Sequence, residues 1–149
     1  GITAPHVPND VGFICHVAGF LYDSEETGLE RDLLVAALKA EGVPVGTGYA
    51  RTMYENPTFV RKIAYAGGAP WDTLAGEAIT YAAGQCPVAE SLLYEKFLWL
   101  YHIAYPSSAE DMSDIALAFE KVLANIQPIL DNAEDIRATG MGVRTQGRL

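Results

Sequence analysis

The sequence predicts an α+β fold, in which a small antiparallel or mixed sheet carries helices packed on one face. Two runs rich in β-branched and aromatic residues, at 11–22 and 97–102, indicate strands. Two segments with apolar residues at helical spacing, 29–40 and 112–126, indicate amphipathic helices. With 149 residues, 50% of them hydrophobic, the chain can bury one sizeable core, so a single domain is expected.

The first half of the chain is predicted to form a strand, a helix and a second strand. The strand 11–22 ends at an acidic turn. Thr27 and Glu30 have the spacing of a capping box and begin the helix, which Gly42 closes. Residues 43–47 then form a short extended stretch that leads into an irregular loop.

The middle of the chain has weaker signals. A short helix is expected over 57–64, and the glycines of 65–86 favour loop. A helix over 88–96 begins after a proline and is followed by the strand 97–102.

The longest helix is predicted near the C-terminus. Ser108 and Asp111 form a second capping-box pattern, and the apolar stripe behind them runs to Pro128. Residues 131–149 have little apolar content and are expected to form a mobile or extended tail.

Charge and cysteine content restrict the possible functions. The chain has 19 acidic and 10 basic side chains, a formal net charge of −9 that disfavours nucleic acid and anionic membrane surfaces as partners. No apolar run reaches the length of about eighteen residues that a membrane span needs. The two cysteines, Cys15 and Cys86, are expected to be buried and reduced, which favours a cytoplasmic location.

The candidate chemistry is concentrated in one loop. The sequence has no metal-ligand spacing, no phosphate-binding glycine motif and no nucleophile with a neighbouring base. The loop 46–57, GTGYARTMYENP, places Tyr49, Arg51 and Tyr54 on an irregular segment, where they suit a polyhydroxylated or anionic small molecule. On spacing alone, the more frequent outcome is that the tyrosines pack and Arg51 is solvated. Trp71 is either a lid or a packing residue.

Several short strings, read in order, add a family resemblance. They are LLVAALKAEGVPV, GY followed by Tyr54 and NP, GAPW, QCPVAESL, FLWL and EDMSDIALAFEKVLANI. Together they resemble the C-terminal part of the DegT/DnrJ/StrS aminotransferases, pyridoxal-phosphate enzymes that install amino groups on keto-sugars and keto-cyclitols. The resemblance covers residues 11–127.

This resemblance implies a domain organisation. The chain would be the small C-terminal domain of a fold-type I aminotransferase, with 1–10 as the linker from a large domain, 11–130 as the small domain and 131–149 as a tail. The parent would be a homodimer that moves an amino group from an amino acid to a keto-sugar or keto-cyclitol by a ping-pong mechanism. The alternative is a stand-alone, non-catalytic module of the same fold that binds a small molecule or a partner.

The resemblance also assigns the cofactor and the candidate site. Pyridoxal phosphate would be held by the large domain of the parent, and none is expected in this chain, because its lysines lie in helical contexts rather than in the family's serine- and glycine-rich stretch. The family's loop often reads Gly-x-His-Tyr; here Gly48 stands at the histidine position and Tyr49 is retained. Tyr49, Tyr54 and Arg51 are the predicted substrate-side residues, with no catalytic residue in the chain.

Overall fold

The fold contains one small sheet. The computed structural model describes residues 1–48, 50–73, 76, 78–101, 103 and 106–140. The strands in these ranges are β1 (Ile2–Thr3), β2 (Ala18–Tyr22), β3 (Val45–Thr47) and β4 (Phe97–Leu100). They lie in the order β1-β2-β4-β3, and each neighbouring pair is antiparallel. The predicted α+β class is confirmed, and the sheet is antiparallel rather than mixed.

Helices complete the described part of the chain. They are α1 (Ser24–Thr27), α2 (Arg31–Ala40), α3 (Pro57–Val60), α4 (Pro87–Ser91), α5 (Ala109–Ala124), α6 (Ile126–Asp131) and α7 (Ala133–Ala138). A π-helical turn, Leu92–Lys96, joins α4 directly to β4. The predicted short helix after the loop, the helix before β4 and the long capped helix are therefore all present.

The core lies between the sheet and the helices. Leu98 and Leu100 of β4 alternate with half-buried residues, so one face of the strand is fully covered. Leu34 and Leu38 of α2 and Val122 of α5 pack in the same buried cluster. Burial of these apolar side chains is the main force that holds the helices on this face.

A buried tyrosine explains why α2 begins later than its sequence pattern indicates. The Tyr22 hydroxyl lies 2.5 Å from the Thr27 hydroxyl and donates to the Leu29 carbonyl at 2.7 Å. Burial raises the pKa of Tyr22, so this phenol stays a neutral donor. Because Thr27 is engaged here, the Thr27–Glu30 capping box does not form, and Glu30 stands at the start of α2 without a side-chain cap.

The predicted strand 11–22 is too long. Only Ala18–Tyr22 is a strand, because its partner β4 ends with Leu100 opposite Ala18, so no strand among the described residues pairs with 11–17. Ile14 is 97% exposed there, so a high content of strand-forming residues was not sufficient. At the other end, the predicted linker 1–10 contains β1, which pairs with β2.

The predicted tail is also wrong for 133–138, which form α7. Ala133 and Ile136 lie three positions apart on one helix face and pack against the core. Arg137 donates to the Glu30 carboxylate at 2.8 Å, which joins α7 to the start of α2. The helix was not predicted because its apolar content is low. The two apolar residues named above are enough to pack it against the core. Residues 141–149 lie outside the described part of the chain.

Candidate functional site

A polar cavity lies where the loop after β3 meets the π-helical turn. Its volume is about 290 Å³, and the residues that line it are Ala50, Arg51, Glu55 and Tyr94. Three of these come from the loop and one from the turn. The cavity therefore depends on how two segments distant in sequence are held together.

On the side of the cavity formed by the loop, the chain makes a single turn of 3₁₀-helix, Met53–Glu55, which begins after Thr52. The Glu55 N–H donates to the Thr52 carbonyl at 3.2 Å, and this folds Glu55 back over Thr52. The Thr52 hydroxyl donates to Glu55 Oε2. Since Thr52 is only 7% exposed, this hydroxyl needs a partner inside the protein, and the carboxylate provides it.

Tyr94 completes a closed hydrogen-bond network with the same two residues. Its hydroxyl accepts from the Thr52 N–H at 3.2 Å and donates to Glu55 Oε2. Two hydroxyl donors thus converge on one oxygen of the carboxylate, and hydrogen bonds to an ionised acceptor are stronger than neutral ones. The network fixes the position and orientation of the Glu55 carboxylate at the cavity wall.

The backbone of the π-helical turn is held from two sides at Leu93. The buried Arg31, the first residue of α2, donates from Nη1 to the Leu93 carbonyl at 3.2 Å. Gly48 approaches the same carbonyl so closely that a Cβ at position 48 would lie 2.7 Å from its oxygen. The structure thus gives a physical reason for glycine at 48, where the resembling family often has histidine. Single π-helical turns occur frequently at functional sites.

Tyr54, another of the predicted substrate-side residues, contacts α4. Its hydroxyl donates to Glu90 Oε1, and the Gly84 N–H donates to the same oxygen at 2.7 Å. Desolvation, followed by the hydrogen bond to Glu90, raises the pKa of Tyr54. These contacts join the loop to α4, and Tyr54 is not among the residues that line the cavity.

The predicted site residues therefore have three different outcomes. Arg51 lines the cavity, Tyr54 faces Glu90 instead, and Tyr49 lies outside the described residues. Glu55 and Tyr94, which also line the cavity, were not predicted from the sequence. The spacing of Thr52 and Glu55, the same as in a capping box, was a signal for Glu55; no local pattern pointed to Tyr94.

Trp71 is a packing residue. It is 6% exposed, its ring meets those of Phe59 and Tyr81, and its indole N–H donates to the Tyr81 hydroxyl at 2.9 Å. This small aromatic cluster fixes part of the glycine-rich region, and it leaves no role for Trp71 as a lid.

Both cysteines are free thiols, as expected, but their positions differ from the prediction. Cys86 is exposed because it immediately precedes the surface helix α4. Cys15 is partly exposed and lies before β2 rather than within a strand. Burial therefore does not protect Cys86 from reagents in solution.

The cavity does not fit pyridoxal phosphate. That cofactor needs a lysine amine for its imine and a set of donors for its phosphate. Among the described residues that line the cavity there is no lysine, and the cation Arg51 shares the lining with the carboxylate of Glu55. Lys121 instead pairs with Glu41 at 2.6 Å, and Lys62 donates to the Gly76 carbonyl at 3.3 Å. The described lining of the cavity therefore lacks the groups that this cofactor needs.

Comparison with known proteins gives an informative relative. No model of a known protein family matches the chain. A Micromonospora echinospora protein named as a putative L-glutamine:3-amino-2,3-dideoxy-scyllo-inosose aminotransferase is 30% identical over 112 residues. The match covers 72% of this chain and 26% of the relative, so the chain spans about a quarter of the relative's length. The chain is related to an aminotransferase.

Metal-binding and membrane-spanning features are both absent from the part of the chain that the structure describes. Within those ranges, histidine, cysteine, aspartate and glutamate side chains form no group of three that could hold a metal ion. In the same ranges, no helix has the length and apolar character required to cross a membrane.

Proposed function

We propose that this chain is the C-terminal small domain of a pyridoxal-phosphate-dependent aminotransferase of the DegT/DnrJ/StrS type. The reaction is transfer of an amino group from an amino acid to a keto-sugar or keto-cyclitol. Two findings support the proposal: the relative's name refers to a cyclitol aminotransferase, and the match occupies about a quarter of that protein. The cofactor would be held by a large domain of the same parent chain, and the parent would be a cytoplasmic homodimer.

The observation that carries the proposal is the cavity of Arg51, Glu55 and Tyr94. A guanidinium, a carboxylate and a phenol together offer donors and acceptors to the hydroxyl groups of a sugar or cyclitol ring. In the proposed enzyme these residues bind and orient the acceptor, while the cofactor supplies the amino-transfer chemistry when bound to the large domain. Tyr49, next to Ala50 in the sequence, is proposed as a further substrate-binding residue.

The test is amino transfer by the complete protein that carries this chain. It is incubated with L-glutamine and 3-amino-2,3-dideoxy-scyllo-inosose, the compounds named for the relative, and the aminated product is measured by mass spectrometry. Arg51→Gln should lower kcat/KM by about tenfold to a hundredfold, as expected for a lost hydrogen bond from a charged group. Arg61→Gln, at an exposed arginine after α3, is the matched control. Absence of transfer to keto-cyclitols and keto-sugars would contradict the proposal.

The alternative, a stand-alone binding module, makes a different prediction for the complete protein. It would bind the sugar or cyclitol without any amino transfer. For the 149-residue chain alone, the proposal predicts that borohydride reduction in the presence of pyridoxal phosphate labels no single lysine stoichiometrically. Full labelling of one defined lysine, measured by peptide mass, would place cofactor binding in this chain and contradict the division into two domains.

A further inference from the structure

We infer that Glu55 is a specificity-determining residue, which accepts hydroxyl groups of a neutral polyhydroxylated ring and excludes a phosphorylated one. The inference deepens the proposed function and rests on it for the identity of the site. It concerns which acceptors enter the cavity, a property that can be measured without amino transfer.

The cavity is small. At about 290 Å³, it lies just below the range of about 300–1,000 Å³ usual for small-molecule sites. A single six-membered ring with its hydroxyl groups suits such a volume. A nucleotide-linked sugar would need to extend well beyond these walls.

The Glu55 carboxylate has a fixed orientation. Thr52 and Tyr94 both donate to Oε2, so a ligand meets a carboxylate that is already ordered. An ordered acceptor loses little side-chain entropy when it binds a hydroxyl donor. The Arg31 guanidinium, which donates to the carbonyl of Leu93, holds the backbone at the residue before Tyr94.

The charge of the Glu55 carboxylate disfavours a phosphorylated ligand. An ionised carboxylate accepts hydrogen bonds from hydroxyl groups but repels a phosphate in the same small cavity. Arg51 alone would attract an anion, and the nearby Glu55 offsets that attraction. The net charge of −9 on the chain adds further repulsion at long range. A neutral polyol is therefore the ligand that this combination favours.

The experiment measures binding of myo-inositol and of inositol monophosphate to the 149-residue chain by ligand-observed NMR titration. Wild type should bind the neutral ring and discriminate against the phosphate. Glu55→Gln should weaken myo-inositol binding by about tenfold or more, because it removes the charged acceptor. It should also bring the affinities for myo-inositol and inositol monophosphate closer together, because the repulsion between carboxylate and phosphate is removed. Tyr94→Phe should weaken myo-inositol binding less, since Thr52 still holds the carboxylate.

The π-helical turn that carries Tyr94 also provides a matched control. Glu95→Gln makes the same change of charge at an exposed residue that accepts from Ser91 at 2.8 Å, and it should leave both affinities unchanged. Three results would overturn the inference: no binding of myo-inositol to wild type, equal weakening of both ligands by Glu55→Gln, or the same loss of discrimination in Glu95→Gln. Because no step of amino transfer is measured, failure here is distinct from failure of the proposed reaction.

Discussion

The same three-residue spacing has opposite consequences in two parts of this molecule. At Ser108 and Asp111, the serine hydroxyl accepts from the Asp111 N–H at 3.2 Å, while the Asp111 carboxylate accepts from the Ser108 N–H at 2.6 Å. This is a complete capping box at the start of the 16-residue helix α5. At Thr52 and Glu55 the side chains also bond to each other, as those of Ser108 and Asp111 do. There, however, the Thr52 N–H donates to the Tyr94 hydroxyl instead of the Glu55 carboxylate, and the carboxylate accepts from Tyr94.

The difference arises from the type of helix that each pattern begins. At the start of the α-helix α5 the Asp111 N–H has no intrahelical acceptor, and the Ser108 hydroxyl accepts from it. After Thr52 the chain makes a 3₁₀ turn, in which the Glu55 N–H already donates to the Thr52 carbonyl and the Thr52 N–H donates to the Tyr94 hydroxyl. A capping-box spacing at a 3₁₀ turn can therefore order a carboxylate at a cavity wall.

The largest effect is expected where the loop meets the π-helical turn. Gly48→Ala places a Cβ 2.7 Å from the Leu93 carbonyl oxygen, which belongs to the backbone and cannot move aside cheaply. The free energy of unfolding should fall by about 1–3 kcal/mol, the usual cost of overpacking. Binding of myo-inositol should weaken with it. Gly12→Ala is the control, because a Cβ there meets nothing within 4 Å. Equal stability of the two variants in urea would show that the close approach is not important.

Removal of the helix cap should affect stability alone. Ser108→Ala deletes the hydroxyl that accepts from the Asp111 N–H, at a cost of about 1 kcal/mol in the free energy of unfolding. Because the cap lies outside the cavity lining, myo-inositol affinity should stay at the wild-type value. Urea unfolding and NMR titration measure the two quantities on one preparation. A parallel loss of affinity would contradict the separation of the two regions.

Thr52→Val is the corresponding change in the loop and should affect both quantities. Valine keeps the shape of threonine but cannot donate to Glu55, so the carboxylate loses one of its two hydroxyl partners. We expect a loss of about 0.5–1.5 kcal/mol in stability, with weaker myo-inositol binding. An unchanged affinity, with the same urea midpoint as wild type, would mean that Tyr94 alone orders Glu55.

The sequence predicts well those elements whose signals are local. The helix α5 is indicated by the spacing of Ser108 and Asp111 and the apolar stripe behind them, and β4 by its run of aromatic and aliphatic residues. Arg51 could be selected because its loop combines glycine, tyrosine and arginine. The helix α7 was missed because a small number of contacts from Ala133 and Ile136 dock it.

The rest of the site could not be predicted from local patterns. Tyr94 lies 39 positions from Glu55 in the sequence. The π-helical turn brings its hydroxyl within hydrogen-bond distance of the Glu55 carboxylate. Nothing in residues 92–96 distinguishes such a turn from an ordinary helix. Tyr54 and Arg51 look equivalent in the sequence. In the structure the Tyr54 hydroxyl donates to Glu90, 36 positions away, whereas Arg51 lines the cavity. Long-range pairing, rather than propensity, decides these roles.

The smallest expected effect is a pH dependence confined to the capping box of α5. Hydrogen bonds from the backbone N–H and the hydroxyl of Ser108 lower the pKa of Asp111 in the folded protein. The folded state therefore favours the ionised carboxylate. The stability that it contributes is present above the ordinary aspartate pKa of about 3.9 and is lost as the pH falls through the lowered value.

Asp111→Asn removes this charge, so the stability difference from wild type should be largest at neutral pH and should shrink as the solution is acidified below about pH 3.9. Urea unfolding at a series of pH values measures that difference.

The pKa of Asp23 is also lowered, by the N–H groups of Glu26 and Glu25, but this affects wild type and variant equally. Asp114→Asn, at an exposed position of the same helix, controls for loss of charge alone. If Asp111→Asn instead differs from wild type by the same amount at every pH, the cap acts through shape rather than charge. The contrast with Glu55 would then rest on its hydrogen bonds to Thr52 and Tyr94 alone.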